Sequence, residues 1–118
     1  MDVESLRLHC IQKKGVTEGF PFGPDPLVFK VMGKMFAICP LELADRVNLK
    51  CDPEYALELR DRYPETVLPG YHMNKRTWNT VMIQQELSDP QIRELIDHSY
   101  ELIVNSLPKK VQKELAEL

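Results

Sequence analysis

The residues richest in chemistry lie between positions 69 and 83: Pro-Gly-Tyr-His-Met-Asn-Lys-Arg-Thr-Trp-Asn-Thr-Val-Met-Ile. This stretch holds the single Trp, one of the three His, two adjacent cations and no acid. Asn74, Lys75 and Arg76 at a turn can donate to phosphate oxygens, and an open ring face on Tyr71 or Trp78 can stack on a nucleobase. The competing reading makes Trp78 the hairpin's anchor in the core and leaves Lys75 and Arg76 as solvated turn cations. Tyr71, His72 and Trp78 together also suit the wall of a small-ligand pocket or a protein contact.

Other chemistry is sparse. Gly23, Gly33 and Gly70 stand alone, so there is no phosphate-binding glycine loop, and neither a Gly-x-Ser-x-Gly elbow nor a His-Glu-x-x-His pair occurs. Asp97, His98 and Ser99 have triad residue types, but adjacent helix positions point apart and cannot form a relay among themselves. Asp97 and Glu101 form an i,i+4 carboxylate pair, and its default role is a solvated one. No pair of Cys10, Cys39 and Cys51 has zinc-site spacing. These residues assign no catalytic group, no metal and no cofactor, and the expectation is a non-enzymatic protein.

The elements that must carry the 69–83 stretch follow from periodicity. Val3, Leu6, Cys10 and Ile11 predict a helix over 3–14, capped by Asp2 and closed by Gly15 at the left-handed position. Val16, Phe20 and Phe22 fall on one side of an edge strand that Pro21 limits. Strands are predicted at 27–32 and 35–41, joined by a Gly33-Lys34 turn of type II′. Residues 46–51 alternate Val47, Leu49 and Cys51 against Arg46, Asn48 and Lys50, as in a strand with one wet face. Asp52-Pro53 starts a helix over 53–63 that buries Ala56, Leu59 and Tyr63 and presents a solvated charged face including Arg60. Strands near 67–73 and 77–83 meet at the Asn-Lys-Arg turn. Ser88-Asp89-Pro90 opens the longest helix, about 90–107, with Ile92, Leu95, Ile96, Leu102, Ile103 and Leu107 along one stripe. Pro108 breaks it before a short amphipathic segment.

Most strand connections are too short for parallel crossovers. The predicted fold is α+β, a two-layer αβ sandwich whose mainly antiparallel sheet has helices on one face. It is one domain spanning 1–118, with 108–118 as a kinked C-terminal helical extension. No apolar run approaches the roughly 20 residues of a bilayer span, and the acidic N-terminus has no secretory pattern. Three isolated cysteines in apolar patterns suit reduced, buried thiols. A cytoplasmic, monomeric protein without a membrane partner is expected.

The net charge of −3 and a pI near 5.6 count against a strongly basic nucleic-acid binder. Distribution changes that picture. Segments 26–51 and 66–84 hold six cations (Lys30, Lys34, Arg46, Lys50, Lys75 and Arg76) against Glu42 and Asp45, a net of +4, and the remaining residues hold the balance of −7. A positive sheet side backed by negative helices can steer a polyanion.

Several runs in consistent order resemble the MmcQ/YjbR family of small bacterial proteins. They are Phe20-Pro21-Phe22-Gly23-Pro24-Asp25, then 29–37, then Asn48-Leu49-Lys50-Cys51-Asp52-Pro53-Glu54, then 69–75, Trp78-Asn79-Thr80-Val81 and His98-Ser99-Tyr100. The resemblance implies a CyaY-like (frataxin-like) sandwich and a DNA-binding role through a "double wing" of strands and hairpins. Asn74-Lys75 and Trp78 match the family's best-marked motif. Frataxin-type iron binding is not implied, because the acidic first helix is reduced here to Asp2 and Glu4. The expected partner is DNA, contacted at its phosphates by Asn74, Lys75, Arg76, Lys34, Lys30, Arg46 and Lys50. The alternative is a protein-interaction or small-ligand module on Tyr71, His72 and Trp78.

Overall fold

Alternating side chains in a strand force a choice of face, and that choice organises this molecule. The computed structural model describes all 118 residues. Its elements run α1 (Val3–Ile11), β1 (Val16–Gly19), β2 (Leu27–Val31), β3 (Lys34–Cys39), β4 (Arg46–Lys50), α2 (Pro53–Arg62), β5 (Val67–Pro69), β6 (Trp78–Met82), α3 (Asp89–Ser106) and α4 (Lys109–Ala116). The strands form one sheet in the order β1-β2-β3-β4-β6-β5, antiparallel at every pairing. The α+β sandwich and the helices on a single face are as the periodicity predicts.

One sheet face carries Leu27, Phe29, Val31, Phe36, Val47, Leu49 and Val81. These join Leu6 and Cys10 of α1, Ala56 and Leu59 of α2, and Ile92, Ile96 and Ile103 of α3 in the main core. Leu115 of α4 is buried there too, against Gly15. The opposite face has no helix on it. It carries a second, smaller cluster of Val28, Ile38 and Trp78, with Met35 and Met73 against it.

The helix starts follow their caps. Asp2 Oδ1 accepts from Ser5 N–H at 2.8 Å, and Asp52 Oδ2 accepts from the N–H groups of Glu54 and Tyr55. Ser88 and Gln91 form a reciprocal capping box. Each satisfies backbone donors that a helix start leaves free.

Four local expectations need correction. The β2–β3 turn is Met32-Gly33 rather than Gly33-Lys34. Both residues have positive φ (49° and 86°), and Val31 pairs with Lys34. That is the type I′ pattern, whose twist suits a two-residue hairpin, and a hydrogen bond from Met32 N–H to Gly15 O holds the left-handed methionine in place. α1 ends at Ile11 with Gln12 as C-cap, so Gly15 (φ 75°) serves the turn into β1 instead of closing the helix. β1 stops at Gly19, ahead of Pro21, and leaves Phe20 and Phe22 exposed. β5 is only three residues long, so an eight-residue loop, 70–77, replaces the tight hairpin turn.

The long helix carries a polar residue in its buried stripe that periodicity passed over. Ser99 is fully buried. Its Oγ donates to Phe36 O at 2.6 Å and accepts from Lys50 N–H at 2.9 Å. Phe36 is an extra residue in β3, a bulge opposite the Phe29/Lys30 step, and the β3–β4 ladder stops at Ala37–Leu49. The serine hydroxyl therefore bridges two backbone groups where the ladder opens. Replacing it would strand both inside the core. Ser99→Ala is expected to lower unfolding stability by about 2 kcal/mol in urea titration. An unchanged midpoint would contradict the bridge.

Burial pushes the thiols of Cys10 and Cys51 up to about 12, and that of Cys39 to about 11. All three are free. A thiolate is the reactive form, so an aromatic disulfide reagent at mildly alkaline pH is expected to leave the native thiols unmodified and to titrate all three once the chain is unfolded. Rapid modification of any native thiol would count against this burial.

Candidate functional site

The loop 70–77 is positioned from both ends by backbone constraints. Gly70 is buried, and a Cβ there would lie 2.8 Å from Trp78 Cβ and 2.9 Å from Trp78 O. Only glycine lets the chain leave β5 this close to β6. At the far end, Asn74 Oδ1 accepts from Arg76 N–H at 3.0 Å, and Asn74 O accepts from Thr77 and Trp78 N–H. Asn74 is thus the turn former, its side-chain oxygen accepting from the backbone. The group expected to donate to phosphate is its side-chain Nδ2, which this turn does not engage.

Helix α2 supplies the third constraint. Arg60 Nε donates to Asn79 Oδ1 at 2.7 Å, and its Nη2 donates to Trp78 O at 3.1 Å and to Lys75 O. The charge pattern of α2 predicts Arg60 on a solvated helix face. The structure makes it the tether between α2 and the loop. The overlooked signal was Asn79, an amide in the middle of a strand that is 1% exposed and so requires a partner.

A polar chain then ties the loop to the uncovered sheet face. Asn48 and Thr80 are cross-strand partners. Thr80 Oγ1 donates to Asn48 Oδ1 at 2.6 Å and accepts from Tyr71 N–H at 3.0 Å, and Asn48 Nδ2 donates to Tyr71 O at 3.3 Å. Tyr71 is 68% exposed, and its ring lies 4.0 Å from that of His72 at a 49° tilt. His72 adopts φ 59°, a left-handed conformation uncommon for a residue with a side chain.

Trp78 is buried, at 8% exposure, as its apolar bulk suggests. It belongs to the small cluster on the uncovered face rather than to the main core. Lys50 Nζ lies 5.9 Å from its ring centroid, at the outer range of a cation–π contact. Its indole therefore offers little free surface for stacking, and Tyr71 is the open aromatic.

The seven polar candidates divide by position. Lys30, Arg46 and Lys50 sit on the uncovered face, at positions paired with Thr17 or Met35, Met82 and Trp78 respectively. Lys75 and Arg76 are exposed on the loop, and Lys75 Nζ reaches Gly70 O at 3.4 Å. Lys34 leaves the set. Its strand position turns it to the helix side, where Nζ donates to Ser106 Oγ at 2.7 Å. Arg46 is engaged by its neighbour Asp45, with Nε and Nη2 donating to the two carboxylate oxygens at 2.7 and 3.1 Å. That pairing holds the Asp45 carboxyl below and the Arg46 guanidinium above their ordinary values. The cations are therefore not one coplanar free sheet. Lys30, Lys50, Lys75 and Arg76 enter none of the ion pairs formed in this structure.

Beside Arg46 and Asn48 the face is concave. A cavity of about 520 Å³ opens between the loop and the segments around Phe22 and Leu43. Met35, Ile38 and Met73 give it an apolar lining, Tyr71, His72 and Phe22 an aromatic rim, and Arg46 and Asn48 a polar side. Asp25 also borders it, but its two oxygens accept from Leu41 and Glu42 N–H. Phe22, the segment 40–43 and this concavity were not recognised from sequence, because they meet only through tertiary structure.

The sequence and the fold both recur in known proteins. A family model described as YjbR matches residues 11–102, a span that contains the whole sheet and the loop. This chain belongs to the YjbR family. It is 34% identical to the uncharacterised protein YjbR of Escherichia coli K12 over the full length of both chains. The uncharacterised protein YbdF of Escherichia coli O157:H7 is 42% identical over 80% of this chain and 77% of its own. Among solved structures, Deinococcus radiodurans protein DR2400 superposes with a TM-score of 0.89 at 36% identity, covering 97% of this chain and 87% of that one. A Pseudomonas syringae protein gives 0.69 at 27% identity over 86% and 98%. No helix is long and apolar enough to cross a membrane.

Arg60→Met retains the aliphatic stem but leaves Asn79 Oδ1 and Trp78 O without the guanidinium. Stability is expected to fall by about 2 kcal/mol, with faster amide exchange at Thr77 and Trp78. Equal protection in both proteins would show that the loop does not depend on this tether.

Proposed function

We propose that the protein is a non-enzymatic DNA-binding module that engages phosphates from its helix-free sheet face and the 70–77 loop. The observation that carries this reading is the charge on that face. Lys30, Lys50, Lys75 and Arg76 enter no ion pair, and the nearby acids Asp25 and Asp45 are hydrogen-bonded within the protein. The acids that make the chain negative overall lie largely outside the two sheet segments. A local positive surface then attracts a polyanion despite the unfavourable net charge. Contacts of this kind carry no sequence information, so binding is expected to show little selectivity.

A second reading, a protein-interaction or small-ligand module on the Tyr71, His72 and Trp78 region, is favoured by the apolar cavity beside Tyr71 and His72. It gives no role to Lys75 and Arg76, and that separates the two.

Titration of DNA oligonucleotides against increasing salt tests the proposal. Binding is expected at about 50 mM salt, weakening steeply as salt rises. The double variant Lys75→Ala with Arg76→Ala is expected to bind more weakly, with the salt slope reduced by about one per lost contact. Absence of binding at low salt, or a variant with unchanged affinity and slope, would contradict it.

A further inference from the structure

A backbone-only contact leaves the cavity unexplained. Phosphates need cations, and the cavity's lining is mostly apolar and aromatic. Its aromatic rim is unusually open. Phe22 is 63% exposed and Tyr71 68%, although burying either ring would be favourable. The Tyr71 side of the rim is also held in place before any partner arrives. Tyr71 is fixed through both its N–H and its carbonyl, and His72 leans on its ring.

Resting on the DNA-binding reading, we propose that this cavity receives one unstacked base of a single-stranded DNA segment, whose flanking phosphates lie along Lys30, Lys50 and Lys75. Three features select that occupant. A base has apolar faces and polar edges, which suits an apolar floor of Met35 and Ile38 bordered by the amide of Asn48. About 520 Å³ is ample for a base with its sugar. The charge is complementary as well: Lys50 follows Asn48 by two residues on the same face of β4, Lys75 belongs to the loop that carries Tyr71, and Lys30 lies on the other flank beside Val28. Of the nearby acids, Asp45 is paired with Arg46, and Asp25, which lines the cavity, turns its carboxylate oxygens to the N–H groups of Leu41 and Glu42.

A paired and stacked base cannot enter such a cavity without leaving the helix, and single strands avoid that penalty. The protein therefore prefers single-stranded to duplex DNA. This pairs a cationic track with an aromatic platform, the combination that suits sequence-tolerant single-strand binding.

The test compares four probes by fluorescence anisotropy at one salt concentration. They are a mixed-sequence single strand, its duplex, a strand of equal length built from abasic sites, and a free deoxymononucleotide. The native protein is expected to bind the intact strand at least tenfold more tightly than the abasic strand or the duplex, and the mononucleotide weakly. Tyr71→Ala alters an exposed side chain and so leaves the fold intact. It is expected to weaken intact-strand binding by roughly tenfold while leaving abasic-strand binding unchanged. Equal affinity for intact and abasic strands, or for single strand and duplex, would overturn base insertion while leaving phosphate binding standing. Mononucleotide binding as tight as that of the strand would assign the cavity to a free nucleotide and overturn the strand proposal. Binding of none of the four would overturn the DNA reading itself.

Discussion

One guanidinium holds the candidate site together. Arg60 reaches from α2 to Lys75, Trp78 and Asn79 and so fixes the loop's return into β6. Charge-assisted hydrogen bonds to two carbonyls and a buried amide exceed what neutral pairs provide, and a lost partner would leave polar groups stranded in a poorly hydrated place. With the β6 end fixed, Gly70 sets the loop's departure from β5, and Thr80 with Asn48 clamps its middle at Tyr71. The loop is thus held as a wall over the sheet, and the cavity exists because the wall stands.

The two sheet faces show what that wall adds. The helix-covered face is closed by aliphatic interdigitation, with Ser99 bridging the one place where strand pairing gives way. On the other face a small apolar cluster is sealed by Trp78 and Met73 without any helix above it. Two cross-strand pairs of β4 and β6, Arg46–Met82 and Lys50–Trp78, place cations beside apolar side chains on that surface, with the hydrogen-bonded pair Asn48–Thr80 between them. Such a face is too polar to bury against a helix and too apolar to be a purely solvated sheet. It has the makeup of a recognition surface.

Much of the fold could be read in the sequence because its signals are local. The alternation in 46–50, the Asp52-Pro53 and Ser88-Asp89-Pro90 starts and the long stripe of α3 each report on a few adjacent residues. Family resemblance pointed the same way. The candidate site was less legible because its members depend on contacts between distant segments. Lys30, Lys50, Lys75 and Arg76 could be named as cations, but not that Lys34 would turn to Ser106 or that Asp45 would take Arg46. Arg60 was indistinguishable from its charged neighbours in α2 without knowing that Asn79 faces it. Phe22 looked like a strand residue because alternation persists across Pro21, whereas the strand itself does not.

DNA is expected to meet the helix-free face, whose loop Arg60 holds upright. Mapping amide chemical-shift changes in the isotope-labelled protein as a short single-stranded oligonucleotide is added tests this most directly. Changes are expected to concentrate at Lys30, Asn48, Lys50 and the loop from Tyr71 to Arg76, with α1 and α4 undisturbed. Changes confined to the helical layer, or none at saturating oligonucleotide, would contradict it.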